Sequence, residues 1–460
     1  MKKFIPGTII FFGLSIWIYH SSTLWTSSRS SFHQDEYQHV HIAWNSLNGK
    51  LIYKDFFDTH GPISAWIFSF LLKFKNGEIA SIDSLFFLRT VCLVFVYISA
   101  ALLFCCLQLL NLNLPLNILT VGLFLGQLTT QVTAFRIRPD IFMLASFLSF
   151  LILWLKERRF YSGIFLGITL GLNPKFIVFN IPILLLDIFS EKKVKGSKWT
   201  LLSGQLIVFL IISCIQGYQG NLLDSWNNQF LTNFQTVATR MPFSGSRFAL
   251  LQCFLELDSF LLFSLAAFVL WIITLVYRSK IELDRNFKMI LLLSICGVLY
   301  LAAPMAHHGL LLSIPCFLML ISYVVDRSFQ DKLKGQSLIA LLVIITTYIS
   351  YKELPKYNSD LNPNFSSLTK ALAEIPRTQP ILYIWPNRCP AYVFNSDHGK
   401  YWAQLVRTPE MDRGRDINRF ADPKITWVAL DDVMFNFLIP TEKDYLANNF
   451  VKFDCLWQRK

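Results

Sequence analysis

The stretch that decides the reading is HQDEYQHVHIAWNSLNGKLIYKDFFDTHGP, residues 33–62. It follows one apolar segment (4–19) and precedes a long series of others, so it forms a polar loop just beyond a membrane surface. The loop begins with Asp35 and Glu36, flanked by His33, His39 and His41, and closes with Asp58 and His60 before Gly61-Pro62. Between these ends Tyr37, Val40, Ala43, Trp44 and Leu47 recur at helical spacing. That spacing predicts a short amphipathic helix on the membrane surface, ended at Asn48-Gly49. Neighbouring helix residues point roughly 100° apart, so Asp35 and Glu36 serve different ends. One can face a cavity as a general base, while the other orients the helix or binds an acceptor. An acidic pair at a helix start also has a plainer use, complementing the helix dipole. Asp35 and His39 share a helix face, a spacing that would permit a metal site, although interfacial histidines more often bind headgroups or backbone.

Outward from this loop the chain is a polytopic membrane protein. Its residues are 53% hydrophobic and only 16% charged, where a soluble domain carries roughly a quarter charged residues. The apolar residues come in blocks close to the length that crosses a bilayer, about 20 residues. The first block, 4–19 behind Lys2 and Lys3, imitates a signal peptide but lacks a clear small-residue cleavage site, so it reads as an uncleaved first span. Residues 63–74 form a second interfacial helix or part of a tilted span. Further spans are expected at 86–110, 116–134, 140–155, 160–172, 176–189, 199–216, 258–277, 288–306, 309–325 and 337–351, giving about eleven with the first.

Alternation of sides assigns the loops, and charge tests the assignment. KERR (156–159), EKKVKGSK (191–198), YRSKIELDRNFK (277–288) and DRSFQDKLK (326–334) all fall inside; with Lys2 and Lys3 they hold 16 Lys/Arg against 6 Asp/Glu. The short outer turns carry only Arg136, Arg138 and Lys175. The net charge of +12 is therefore positive-inside bias and not a nucleic-acid surface. Two outer regions are large: the loop 217–257, with Arg240 and Arg247, and the region from 352 onward, which forms a second domain after a transmembrane domain of residues 1–351. The C-terminal region has 15 Lys/Arg and 13 Asp/Glu, a balance expected of a small extracytoplasmic α/β domain. Strands are expected at 381–385 and 424–430, and helices at 366–374 and at 441–450, the latter begun by a Thr-x-x-Asp cap. The cysteines form no CxxC pair or zinc spacing, and most lie in apolar segments as small buried residues. Cys389 and Cys455 could form a disulfide in an extracytoplasmic domain.

Further candidate residues lie on the outer turns. In FRIRPD, Arg136, Arg138 and Asp140 stand between two spans. Charges there can simply anchor a span, but two arginines beside a proline also suit a phosphate, whose oxygens match the planar guanidinium fork. Lys175, in LGLNPKF between two apolar segments, either snorkels or meets an anion. His307 and His308 occupy a comparable outer turn and could touch donor phosphate or acceptor.

Taken together these residues resemble the GT-C superfamily of glycosyltransferases, nearest to the branch with the lipid A aminoarabinose transferase and the protein O-mannosyltransferases. The resemblance rests on Asp35-Glu36-Tyr37, on Gly49 through Tyr53 to Asp55 (one residue longer than the family spacing between Gly and Tyr), and on Gly61-Pro62. It extends to Arg138-Pro139-Asp140, to the histidine turn before Leu311 and Pro315, and to the C-terminal extracytoplasmic domain. It implies a mainly α, GT-C-like bundle of about eleven spans with a small C-terminal α/β domain. It further implies inverting transfer of a sugar from a polyprenyl-phosphate donor at the outer face of a bacterial inner membrane, in lipopolysaccharide modification or protein glycosylation. Asp35 would be the base with Glu36 beside it, and Arg136, Arg138, Lys175, His307, His308, Tyr53, Asp58 and His60 would contact the donor phosphate or substrate. Relatives often carry a second acidic residue where this chain has His60, with Asp58 two residues earlier, and some place a lysine where Gly61 stands. The acceptor would be a lipid, a protein or a glycan, and the other partners are membrane lipids. No cofactor is demanded, a divalent cation is compatible, and the sequence holds no convincing Gly-rich nucleotide loop or Asp-x-Asp metal motif. Two other classes fit less well: an O-antigen ligase or polymerase working in the loop 217–257, and a transporter of envelope precursors, which would favour mid-membrane charges and an internal repeat.

Overall fold

The computed structural model describes residues 34–55, 58, 60–75, 81–134, 136–189, 199–227, 229, 285–302, 310–328, 332–359, 381–385, 402–404, 421, 423–430, 435, 440–453 and 456–460. The expected spans 4–19 and 258–277, the helix at 366–374, His307, His308, Cys389 and Cys455 lie outside these. The chain divides into two compact units. One comprises Met1–Arg29, Thr90–Ile212 and Met241–Asp360; the other comprises Ser30–Arg89, Ser213–Arg240 and Leu361–Lys460.

The first unit is helical. Its elements are most of α3 (Ile82–Leu109), α4 (Leu114–Gly126), α5 (Leu128–Ala134), α6 (Pro139–Leu155), α7 (Arg159–Leu172), α8 (Ile177–Ile188), α9 (Thr200–Tyr218, its last residues lying in the other unit), α11 (Arg285–Ala302), α12 (Leu310–Ser328) and α13 (Lys332–Ser359); the label α10 is kept for Leu222–Trp226 of the other unit. Among the described residues, Asp83–Leu109 and Thr200–Tyr218 are long and apolar enough by themselves to cross a membrane. Shorter apolar helices stand at Leu114–Gly126, Pro139–Leu155 and Arg159–Leu172. The span expected over 116–134 is not one helix: the backbone leaves helical geometry at Gln127 (φ −65, ψ 131), dividing α4 from α5. The last helix runs to Ser359, so the boundary expected near Tyr351 falls within it.

Starts and stops follow local chemistry. Asn113 caps α4 by accepting from the Leu116 N–H at 3.1 Å, with Pro115 in the first turn, where its missing N–H costs nothing. Asn113 also donates to Asp326 Oδ1 at 2.6 Å and accepts from Gln336 Nε2 at 3.0 Å. These bonds join the start of α4 to the end of α12 and the start of α13. Arg159 and Asp187 also approach each other, with an Nε–Oδ1 distance of 3.5 Å, too long for a well-formed hydrogen bond, while the guanidinium lies 4.2 Å from the Trp154 ring. Helices α7 and α9 meet backbone to backbone. A Cβ on Gly163 would come 2.0 Å from the Leu201 carbonyl oxygen, and one on Gly204 would come 2.1 Å from that of Phe160. Gly163 and Gly167 are four apart, so this is the small-residue seam by which membrane helices gain dispersion contact.

The second unit holds the opening loop. Helix α1 (Gln34–Leu47) and helix α2 (Pro62–Lys73) pack together, with Ser69 Oγ donating to the Ala43 carbonyl at 3.0 Å. Helix α1 ends as expected: Gly49 takes φ +81, a conformation a Cβ would strain. It does not lie amphipathically on a surface, however. Glu36, His39, His41 and Asn45 are buried together with Tyr37, Val40, Ile42 and Ala43. Polar groups can be buried all round because they find partners, as Asn45 does on His41 Nε2 at 2.9 Å.

The C-terminal part of this unit is the expected small α/β fold. Strands β1 (Ile381–Trp385), β2 (Trp402–Gln404), β3 (Trp427–Ala429), β4 (Phe450–Phe453) and β5 (Leu456–Arg459) form one sheet in the order β2-β1-β3-β5-β4. The β1 pairings are parallel, with Tyr383 opposite Trp402 and Leu382 opposite Val428; β5 runs antiparallel to both β3 and β4. Helix α14 (Pro440–Asn449) starts one residue before Thr441, and its Leu446 joins Ile425, Val428, Leu430, Phe450 and Trp457 in a core. Residue 450, expected to end that helix, begins β4 instead.

Candidate active site

Helix α1 brings the acidic pair to one helix start, where the dipole favours negative charge. The two carboxylates then part ways. Glu36 is fully buried and clamped by Arg89 of α3: Nε reaches Oε1 and Nη2 reaches Oε2, both at 2.7 Å, with the two side chains 0% and 1% exposed. This bidentate, desolvated pair ties the start of α1 to α3. Asp35, one residue earlier and about 100° around the helix, is half-buried.

The rest of the loop is folded back on itself. Asp55 accepts from the Leu51 N–H at 2.8 Å, and its own N–H returns to the Leu51 carbonyl at 2.9 Å. Asn221 donates to the Ile52 carbonyl at 2.8 Å. Between these ties Tyr53 sits at φ +73, rare for an aromatic residue and a cost of order 1–3 kcal/mol that the surroundings must hold. They do so by burying its ring with Ile42, Ile52 and Ala65, and by leading its hydroxyl to the His60 carbonyl at 2.5 Å. Burial, with Asp58 nearby, raises the Tyr53 hydroxyl's pKa well above its ordinary value, so it stays a neutral donor.

Asp58 and His60 form the second pair. Asp58 Oδ1 accepts from His60 Nδ1 at 2.8 Å and from the His60 N–H at 3.1 Å. The His39 ring meets the His60 ring edge to face, centroids 4.7 Å apart. Burial alone would raise the Asp58 pKa. The charge of His60 and its two hydrogen bonds, with His39 adding to them, outweigh burial and hold it below the ordinary carboxylate range.

The outer-turn candidates lie in the first unit. Arg138 immediately precedes α6, and its Nε pairs with Asp140 Oδ2 at 2.9 Å, both side chains buried. Arg136 is half-buried beside it in sequence. Lys175 is half-buried in a 3-10 turn, Pro174–Phe176, capped by the Asn173 side chain. Among the described residues no three His, Cys, Asp or Glu side chains are grouped to hold a metal ion.

Sequence reasoning missed Arg89, taken as part of the expected span 86–110, and Asn221. Arg89 carried a legible signal: an arginine in an otherwise apolar run, SLFFLRTVCLVF, is costly unless it is paired. Asn221 carried none, since its partner is a backbone carbonyl far away in the chain.

The chain thus combines a largely apolar helical unit with a second unit that holds the acidic helix start and a mixed C-terminal sheet. No protein-family model matches the sequence, and no curated protein is similar to it in sequence. Solved structures do match. The fold is similar to that of an Archaeoglobus fulgidus oligosaccharyltransferase tethered with an acceptor peptide, at TM-score 0.57 and 10% identity, covering 92% of this chain and 70% of that one. It is also similar to ArnT from Cupriavidus metallidurans bound to undecaprenyl phosphate, at TM-score 0.54 and 10% identity, covering 98% of each chain. AglB from Archaeoglobus fulgidus, in complex with an inhibitory peptide and a dolichol-phosphate, matches at TM-score 0.55 and 10% identity over 91% of this chain and 69% of that one. The chain thus shares the overall fold of these solved structures.

Proposed function

We propose that the protein is an integral membrane glycosyltransferase that moves a sugar from a polyprenyl-phosphate donor to an acceptor on the extracytoplasmic face. The observation that carries the reading is the division of labour at the start of α1. Glu36 is committed to Arg89, and Asp35 stands one residue away, half-buried on another face of a helix held firmly by that pair. Such a carboxylate is suited to take the proton of an acceptor hydroxyl, amine or phosphate as that group attacks the anomeric carbon. Glu36 is then a positioning residue. Two fold neighbours are seen bound to undecaprenyl phosphate and to a dolichol-phosphate, which supports a lipid-linked donor here. A lipid tail can stay in the bilayer while its phosphate meets cations at headgroup depth, and Arg136, Arg138, Lys175, His307 and His308 are the outer-turn candidates. The positive-inside pattern and the joining of inner loops at Asn113 and at Arg159 support a multi-pass topology with the loop 20–62 and the C-terminal domain outside.

The test is Asp35→Asn in the full-length protein in native membranes. Mass spectrometry of envelope glycolipids and glycoproteins, with and without the protein, identifies the product. The variant should fold normally and lose that product by roughly 100-fold or more, the range of a missing general base. Product formed at the wild-type rate removes Asp35 as the base.

A further inference from the structure

The end of α9 carries two buried amides that the transfer chemistry above does not use. The helix stops in a glycine turn: the Gly220 N–H bonds to the Gly217 carbonyl and the Asn221 N–H to the Gln216 carbonyl, both at 3.0 Å, with Gly220 at φ +69. In such a turn the residues in the places of Gln216 and Asn221 commonly meet as an apolar contact. Here both are amides, and both are 0% exposed. Asn221 Nδ2 donates to the Ile52 carbonyl at 2.8 Å. Gln216 Nε2 and Oε1 and Asn221 Oδ1 are buried with no hydrogen-bond partner among the described residues. All these groups belong to the second unit. Burying three such atoms unpaired disfavours folding, so their place in the molecule is explained by something they bind.

The atoms on offer select the ligand class. Gln216 supplies N–H donors, and both residues supply an acceptor oxygen. An ammonium can only donate and would leave the Gln216 N–H groups unpaired. A phosphate or carboxylate chiefly accepts, would leave both oxygens unpaired, and would add a buried charge that neutral amides cannot balance. A hydroxyl both donates and accepts, and neighbouring hydroxyls on one ring can satisfy all three atoms. The turn is open beside the pair: Gly217, Tyr218 and Gly220 are exposed, and a Cβ on either glycine would meet nothing within 4 Å. We infer that Gln216 and Asn221 form a hydroxyl-binding subsite for a neutral sugar ring, carried by the donor or by a glycan acceptor. The inference rests on the transferase reading above and adds to it the substrate class this turn selects. Asn221 also links the subsite to the first loop. The carbonyl it holds belongs to the peptide bond before Tyr53, the residue at φ +73. A sugar on Oδ1 and the loop on Nδ2 therefore share one planar amide.

The experiment uses the full-length protein in lipid nanodiscs and reads binding by saturation-transfer NMR. The probes are the methyl glycosides of glucose, galactose and mannose, with methoxycyclohexane as a ring of similar size that lacks the hydroxyls. Wild type should bind at least one glycoside. Gln216→Met, which keeps the length of the side chain without its amide, should weaken that binding by roughly 5- to 50-fold and leave methoxycyclohexane unchanged. With no sugar present the same variant should unfold about 2 °C or more above wild type, because it removes a buried unpaired amide. Binding of none of the glycosides, unchanged affinity in Gln216→Met, or equal loss of glycoside and methoxycyclohexane would each overturn the inference. So would a lowered unfolding midpoint, the sign of an amide already satisfied by ordered water. In native membranes, mass spectrometry of glycan product and of free sugar released from the donor by water separates the two sources. Gln216→Met should lower both if the donor's sugar occupies the subsite, and product alone if the acceptor's does; lowering neither refutes the subsite. Asp35→Asn separates the inference from the transferase reading, because that variant should lose transfer and still bind the glycoside. Normal transfer in Asp35→Asn removes the proposed base and leaves the glycoside measurements to stand by themselves.

Discussion

The Glu36–Arg89 pair offers the sharpest energetic test. Both side chains are essentially without solvent, and both hydrogen bonds measure 2.7 Å. Removing one partner leaves the other as a buried, uncompensated charge, which costs about 3–5 kcal/mol. Replacing both by apolar side chains of similar volume removes the desolvation penalty with the attraction, and such swaps are often near neutral. Glu36→Met and Arg89→Met should therefore each destabilise the protein by about 3–5 kcal/mol, and the double variant should return to within about 1 kcal/mol of wild type. Reversible unfolding in mixed micelles, followed by tryptophan fluorescence, measures all four corners of the cycle. Single costs under about 1 kcal/mol, or a double variant as damaged as the sum of the singles, would refute the argument that the pair's weight is electrostatic. The stable double variant then carries a functional reading. If Glu36 only positions α1, the double variant retains transfer within roughly tenfold of wild type; loss of transfer at restored stability would put Glu36 in contact with substrate.

Other expectations follow from single contacts. Gly163→Ala or Gly204→Ala puts a methyl about 2 Å from a carbonyl oxygen of the opposite helix, so α7 and α9 must separate, at about 1–3 kcal/mol; thermal inactivation in detergent reads this, and unchanged stability would mean the seam is not closed. Asn113→Ala removes the α4 cap and its links to Asp326 and Gln336, which should cost about 1–2 kcal/mol in the same assay, while Asn113→Asp keeps the two accepted bonds and sets a second carboxylate against Asp326. The depressed pKa of Asp58 makes its ionised form the one the fold prefers. Its stabilisation is present above the ordinary carboxylate value, about 4, and is lost as pH falls from there through the lower folded value. Asp58→Asn should flatten that part of the acid limb in unfolding midpoints taken from pH 6 to pH 3, and an identical limb in the variant would refute the assignment.

The sequence carried the outline well where one physical signal dominated. Apolar blocks placed the helices of the first unit because a bilayer or core leaves the backbone few other ways to satisfy its polar groups. Two blocks deceived. Residues 116–134 read as one span because leucine and valine persist across the break, and hydropathy does not register the single residue, Gln127, whose backbone turns extended. The helix at 34–47 read as surface-bound because its polar residues suggested a wet face, whereas Arg89, His60 and Phe68 supply partners that dry it out. In the C-terminal part, the strands 381–385 and 427–429 stood out by their β-branched and aromatic runs. The strands 402–404, 450–453 and 456–459 are short, and only pairing within the sheet makes them strands.

The sequence by itself determined the chemistry on offer: an acidic pair, histidines and a turn-rich loop after an apolar segment, with Lys and Arg gathered in alternate loops. Only the tertiary structure decided how those groups divide the work. Glu36 and Arg89 are 53 residues apart in the chain, Asp58 chooses His60, and Tyr53 takes a left-handed backbone because buried neighbours hold it there. A side chain's role depends on which partner reaches it once water has been excluded, and spacing along the chain does not encode that distance.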